Sequence, residues 1–266
     1  MTNPTARTRS QVLDTKLELS RAVEAQELRV DYQPIVDLAR LSIVAVEALV
    51  RWQHSRRGLL QPHEFIPLAE TSGLIIPIGQ WVLEQACIFS REWPTAGGRR
   101  KAPTLHVNLS TRQFLQADIV DQVTQVLNKT GVEPPMLELE ITESAMIRDL
   151  NAAAEMARAL KAIGVRLAID DFGTGYASLR YLHLFPVDSL KIDQSLIGSP
   201  SPGAGSWTIV RMLVDLAHSL NMQAVIEGVE TEEQLEQVRA TGCDLAQGFL
   251  FYEPMRAEML LRLLRG

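Results

Sequence analysis

The sequence predicts an α/β fold, a modified (β/α)8 barrel of the TIM type with one strand antiparallel to the rest. Three observations carry this expectation. Short apolar or alternating runs of strand character take turns along the chain with longer segments of i, i+3, i+4 helical spacing. Eight such runs occur in 266 residues, and eight strand–helix units over roughly 250 residues is the size of one such barrel. The first two runs are joined by only about eight residues, Pro34 to Leu41, whereas a parallel crossover takes a dozen or more. Those two strands must therefore form an antiparallel hairpin.

The elements follow in order. A helix from about Lys16 to Ala25 precedes the hairpin strands 28–33 and 42–51. Ile78, Trp81, Val82 and Phe89 mark the next helix, before strand 105–109. Ile119, Val120, Val123 and Leu127 mark a helix that Gly131 ends, before strand 137–142. Ala153, Met156, Ala157 and Leu160 mark a helix that Gly164 ends, before strand 165–170. Strand 187–192 is followed by a Gly-, Pro- and Ser-rich surface loop, 198–206. Ile209, Val210, Leu213, Leu216 and Leu220 then lead to strand 222–227. Thr231 with Gln234 reads as a capping box, Gly242 closes that helix, and strand 244–249 completes the set. Residues 1–15 read as a polar tail and 16–266 as a single domain; a doubly wound open sheet is the competing architecture.

Composition narrows the function. At 46% hydrophobic and 22% charged the chain is ordinary for a globular protein, and disorder is excluded for its bulk. A net charge of -6 argues against binding a nucleic-acid polymer, because phosphate backbones are held by many Lys and Arg. Any phosphate-bearing ligand must meet a local exception. Cys87 and Cys243 stand far apart without CxxC spacing, which suggests reduced thiols in a cytoplasmic protein rather than a disulfide framework. No apolar run is long enough to span a membrane, and the N-terminus has no signal-peptide core.

In barrels of this class chemistry gathers at the C-terminal ends of the strands. Polar residues fall there with regularity: Glu47 and Arg51 on one face of strand two, Asn108 on three, Glu140 on four, Asp170 and Asp171 on five, Lys191 on six, Glu227 on seven and Gln247 on eight. Singly, such a residue is most often a helix cap or turn. Collected at one rim, the carboxylates would repel one another and raise each other's pKa unless a cation neutralised them. Oxygen ligands of this kind suit Mg²⁺ or Mn²⁺. The five histidines lack paired spacing, which disfavours zinc. If the chain turns at Asp170 and Asp171, one carboxylate bridges two ions while its neighbour reaches the second, and two ions about 4 Å apart form a clamp for phosphoryl transfer. The glycines of Phe172-Gly-Thr-Gly-Tyr176 permit close backbone approach, a weak signal on its own.

The motifs Val46-Glu-Ala-Leu-Val-Arg-Trp52, Tyr32-Gln-Pro34, Phe65-Ile-Pro-Leu-Ala-Glu70, Val107-Asn-Leu-Ser110, Glu140-Ile-Thr-Glu143, Asp170-Asp-Phe-Gly-Thr-Gly-Tyr176, Leu190-Lys-Ile-Asp193, Glu227-Gly-Val-Glu-Thr231 and Gln247-Gly-Phe-Leu-Phe251 stand in order. With them the sequence resembles an EAL-domain cyclic-di-GMP phosphodiesterase from about Leu17 to Leu264. The resemblance implies that Glu47, Asn108, Glu140 and Asp170 ligate one metal ion, and that Asp170 and Asp171 hold a second with Glu227 nearby through water. It implies Lys191 beside the attacking water, Gln247 in the polar shell, and Gln33 and Arg51 on the dinucleotide. Glu143 would anchor the glycine loop, which helps pair subunits into a homodimer. Glu230 would meet the guanine or the dimer partner; the plain alternative is an exposed acid at a helix start. Ile226 and Ala177 depart from the family's usual residues without removing a ligand.

The activity so implied is hydrolysis of cyclic-di-GMP to linear pGpG, using two Mg²⁺ or Mn²⁺ ions, with Glu227 or Lys191 positioning or deprotonating the water. Calcium would inhibit, since its looser shell misplaces that water. Members of this family are often joined to sensor or GGDEF modules. Two other readings stand beside it. A non-catalytic cyclic-di-GMP receptor would lack a ligand residue, and none is missing. A Mg²⁺ enzyme abstracting a proton beside a carboxylate would also use acids and a lysine, but the Asp pair and Arg51 favour phosphate.

Overall fold

Alternating apolar residues along β1 (Leu28–Asp37) and β2 (Ser42–His54) build the antiparallel hairpin that their short connection demands, with Gln33 paired to Glu47. The structure, a computed structural model, describes residues 9–22, 24–94, 102–147, 149–173, 182–197 and 204–265. A short strand, β3 (Gly58–Leu60), pairs antiparallel with the end of β2 and lies outside the ring. From β2 the sheet continues in parallel through β4 (Thr104–Leu109), β5 (Leu137–Thr142), β6 (Arg166–Phe172), β7 (Ser189–Ile192), β8 (Gln223–Ile226) and β9 (Leu245–Ala246). β1 then closes the ring, antiparallel to both β2 and β9. It is the reversed strand that the short connection required, and the closed ring rules out the open sheet.

Ten helices surround the barrel among the described residues: α1 (Arg9–Ala22), α2 (Pro62–Ser72), α3 (Ile75–Ser90), α4 (Thr111–Phe114), α5 (Ile119–Thr130), α6 (Glu143–Ile147), α7 (Leu150–Ala162), α8 (Ala204–Ser219), α9 (Glu232–Thr241) and α10 (Ala257–Arg265). The expected capping box forms at α9, where Thr231 Oγ1 accepts from Gln234 N at 3.2 Å and Gln234 Oε1 accepts from Thr231 N at 3.0 Å. Gly242 ends that helix with φ 82°, a left-handed conformation that costs glycine little.

Strand alternation sorts the core into two regions. Outward residues such as Val107, Leu139, Ile169 and Leu190 pack in one apolar core with Val123, Leu127, Ala157 and Leu160 of the helices. Inside the ring, Ile35, Ala45, Val225 and Leu245 form a separate apolar cluster. The β4–β7 side of the lumen is polar, with His106, Glu138, Glu140 and Lys191 all buried.

Some boundaries move. The first helix starts at Arg9 rather than Lys16, since the segment 9–15 ahead of Lys16 holds no Gly or Pro to stop it. The final strand is short, since the chain leaves the ladder at Gln247. Of the expected loop 198–206, residues 198–203 lie outside the described residues, and Ala204–Ser206 already belong to α8. Both cysteines are buried and unpaired. No helix among the described residues is long and apolar enough to cross a membrane.

Candidate active site

Inward-facing side chains at the strand ends converge on one ammonium. Lys191, on β7 and 0% exposed, donates to Glu140 Oε2 at 2.9 Å. Its Nζ also lies 2.8 Å from Glu227 Oε1, 3.3 Å from Asp170 Oδ1 and 3.6 Å from Glu47 Oε2. Glu47 is held from two further sides. Asn108 Nδ2 donates to its Oε1 at 2.6 Å, and Gln247 Nε2 donates to its Oε2 at 2.7 Å. Gln247 Nε2 also reaches Gln33 Oε1 at 2.9 Å, and Gln33 Nε2 donates to the Tyr252 carbonyl at 2.9 Å. The hairpin register that sets Gln33 opposite Glu47 is what brings this chain of amides together.

Asp170 and Asp171 reach the same region through a break in β6. The register with β7 shifts between Ile169 and Phe172, and Asp171 takes φ 56°. A left-handed non-glycine residue costs on the order of 1–2 kcal/mol. Here it cancels the alternation that would send neighbouring side chains to opposite faces. Asp171 N donates to Asp170 Oδ1 at 2.9 Å. Oxygens of Asp170, Asp171 and Glu227 lie within 4.8 Å of one another.

These groups floor a cavity of about 730 Å³. Gln33, Glu47, Asn108, Asp170, Asp171, Glu227 and Gln247 line it, while fully buried Glu140 and Lys191 do not. One wall is apolar, formed by Ile66 and Pro67 of α2 and Ile75, Ile78 and Val82 of α3. Glu230 also lines the cavity and is exposed. Glu143 is buried, and its Oε2 accepts from Gly173 N at 3.2 Å, where the glycine loop starts; residues 174–181 lie outside the described residues. Arg51 does not line the cavity. It is buried, its Nε 3.5 Å from Asp31 Oδ2 and its Nη1 on the Val50 carbonyl at 2.9 Å.

The charges do not balance. Burial pushes Glu140 up to about 7, with Glu47 and Asp170 adding to the rise against the pull of Lys191. Burial, Asp170 and Asp193 push Asp171 up to about 6. Burial, with Asp170 and Glu47 beside it, sends Glu227 well above the usual carboxylate range. Glu47 is held below it: burial opposes ionisation, but Lys191, Gln247 and Asn108 outweigh it. One ammonium cannot neutralise this set. The oxygen-rich, histidine-poor donors, with Gln247 Oε1 lacking a hydrogen-bond partner among the described residues, fit hard divalent cations.

The direction of these shifts sets a pH dependence. Glu140 and Asp171 are raised, so without a cation they favour the folded state below their unfolded pKa values, 4.5 and 3.8, and that contribution fades as the pH rises through about 6 to 7. A cation must displace the same protons. The gain in Tm on adding Mn²⁺ is therefore expected to grow between about pH 5 and pH 7.5. Melting curves with Mn²⁺ and with chelator across that range check this, and a flat or shrinking gain would contradict it.

A family model described as the EAL domain matches residues 16–254. The chain belongs to the EAL-domain family. It is 44% identical over 244 residues to the bifunctional diguanylate cyclase/cyclic di-GMP phosphodiesterase MucR of Pseudomonas aeruginosa, covering 92% of this chain and 35% of that protein. It is 39% identical over 257 residues to the cyclic di-GMP phosphodiesterase NbdA of the same organism, covering 97% of this chain and 33% of that one. The chain thus spans about a third of these relatives. A solved structure, the PaMucR phosphodiesterase in complex with c-di-GMP, superposes with a TM-score of 0.88 at 43% identity, covering 94% of this chain and 100% of that one.

This EAL domain contains polar residues that its motifs do not announce. His106 Nδ1 lies 2.9 Å from Glu140 Oε1, and Arg166 Nε donates to Glu138 Oε2 at 2.6 Å beneath it. The signal was present in the alternation: His106 and Glu138 stand two residues before Asn108 and Glu140 and so share their inward face. The apolar wall from α2 and α3 left no comparable mark, because nothing in a helical stripe tells a cavity wall from core.

Proposed function

We propose that this EAL domain hydrolyses one phosphodiester bond of cyclic-di-GMP to give linear pGpG. The observation that carries the proposal is the convergence of Glu47, Asp170, Asp171, Glu227 and Asn108 at the floor of an open cavity with Glu140 and Lys191 buried just beneath, in a chain whose similarity to cyclic-di-GMP phosphodiesterases runs almost end to end. Glu47, Asn108, Glu140 and Asp170 would hold one Mg²⁺ or Mn²⁺ ion, and Asp170 and Asp171 a second, with Glu227 beside it. Bound there, two such ions would acidify a water and neutralise charge growing on the phosphoryl oxygens.

The chain's own residues do the rest. Lys191 and Glu227, 2.8 Å apart, orient the attacking water, the ammonium by donating to its oxygen and the Glu227 carboxylate by taking its proton. The water oxygen forms the new bond to phosphorus, the P–O3′ bond breaks, and the leaving O3′ takes up a proton from solvent in the open cavity. Gln33 and Gln247 present amides to the dinucleotide, and the wall of Ile66, Ile75, Ile78 and Val82 offers an apolar surface to a base. Arg51 supplies positive charge against a phosphate by exchanging its Asp31 contact for the ligand. Glu143 anchors the loop that begins at Gly173, and Glu230, exposed on the cavity lining, faces the guanine. We place the activity in the cytoplasm and in a homodimer. The partial coverage of MucR and NbdA supports regulatory modules joined to domains of this kind.

Incubation with cyclic-di-GMP and Mn²⁺, followed by chromatography, is expected to yield pGpG, and a chelator is expected to stop it. Tight binding of the dinucleotide without product would instead mark a receptor.

A further inference from the structure

Beneath the site, the barrel lumen holds charged groups that the proposed reaction does not use. His106 and Glu138 are buried, 3% and 1% exposed. His106 Nδ1 is 2.9 Å from Glu140 Oε1 and 3.8 Å from Glu138 Oε1. Glu138 Oε2 accepts from Arg166 Nε at 2.6 Å, and Arg166 Nη2 donates to Gln223 Oε1 at 3.0 Å. A polar column thus runs up the inside of β4–β7 and ends on Glu140, whose other oxygen, Oε2, accepts from Lys191 Nζ.

The last torsion of a glutamate is broad and two-fold, so an untethered carboxylate exchanges its oxygens and tilts its plane. Glu140 is tethered on both. With a cation bound the carboxylate is ionised and only accepts, so His106 Nδ1 is then the donating nitrogen. That bond holds Oε1 from below and leaves Oε2 on Lys191 Nζ, the ammonium that Asp170, Glu227 and Glu47 also surround. We infer that His106 is a positioning residue: by fixing Glu140 Oε1 from inside the barrel, it aims Oε2 at the cation, an inference that rests on the metal-dependent reading above. Outer partners of this kind commonly change metal affinity ten- to a hundredfold. A histidine that merely filled the lumen would leave cation binding untouched.

The test uses two variants of equal shape. In His106→Asn the amide Nδ2 can stand where Nδ1 stood and still donate; His106→Leu has the same outline and no donor. Both lose the ring, so packing loss is shared. Titration of the full chain with Mn²⁺, followed by electron paramagnetic resonance of the free ion, is expected to give a Kd about ten- to a hundredfold weaker for His106→Leu, with His106→Asn within about threefold of the unaltered protein. The Mn²⁺ dependence of turnover should shift by the same factor, while kcat at saturating Mn²⁺ falls by less. Equal Mn²⁺ affinity in His106→Leu, or equal weakening in both variants, would overturn the inference. If His106→Leu does not fold, His106→Ala lacks the same donor and is compared with His106→Asn in the same way. Unaltered protein that binds no Mn²⁺ would overturn the metal reading itself, whereas failure of the variants alone would remove only the role of His106.

Discussion

Glu47→Ala is expected to lose cyclic-di-GMP turnover by on the order of a thousandfold or more, with dinucleotide affinity reduced by less than about tenfold. Glu47 is the point where the hairpin meets the rest of the site. It accepts hydrogen bonds from Asn108 and Gln247 and lies 3.6 Å from Lys191. Truncation removes an oxygen proposed to hold a cation, and it also strands the buried amide donor of Gln247 at about 1–3 kcal/mol, whereas the exposed Asn108 amide can turn to water. Glu47→Gln separates these effects, because it keeps volume and an accepting oxygen while removing the charge. Comparison of kcat at saturating Mn²⁺ with Kd measured calorimetrically checks the expectation for both. Undiminished turnover in Glu47→Ala would refute the assignment of the site.

Lys191→Met is expected to remove turnover and to destabilise the cation-free protein in a pH-dependent way. Its ammonium is buried and touches Glu47, Glu140, Asp170 and Glu227, so its loss leaves buried negative charge without a partner. Breaking a buried pair on one side typically costs about 3–5 kcal/mol, or roughly 10 °C in Tm for a chain of this size. Those carboxylates hold Lys191 protonated well above its ordinary range, against the effect of burial. The stability it contributes is therefore present throughout the neutral range. At about pH 5 the freed carboxylates take up protons, and the loss should be smaller than at about pH 8. Mn²⁺ should recover part of the Tm, because a cation replaces the missing charge. Melting curves at both pH values, with Mn²⁺ and with chelator, decide it; a variant as stable as the parent at about pH 8 without ions would contradict the role given to Lys191.

Both the barrel and the polar residues gathered at its rim were legible in the sequence, for physical reasons. Strand alternation is strictly two-residue, so Glu47, Asn108, Glu140, Lys191 and Gln247 could be assigned to one face without knowing the barrel. The reversed first strand followed from a connection too short for any crossover. β3 escaped because three residues give no period to read. Asp171 carried no sign of its left-handed backbone, since nothing in Asp-Asp-Phe separates a strand end from a bulge. Arg51 shows the opposite limit. Alternation put it on the face of Glu47, but its contact with Asp31 depends on the register of β1 against β2.

The left-handed turn at Asp171 makes durability and competence rival demands at one position. Glycine would adopt that backbone more readily than aspartate, and the fold would be the firmer for it, yet the carboxylate would be gone. A laboratory selection for heat resistance alone should therefore drift this codon towards glycine, and the surviving barrels would be sturdy and idle.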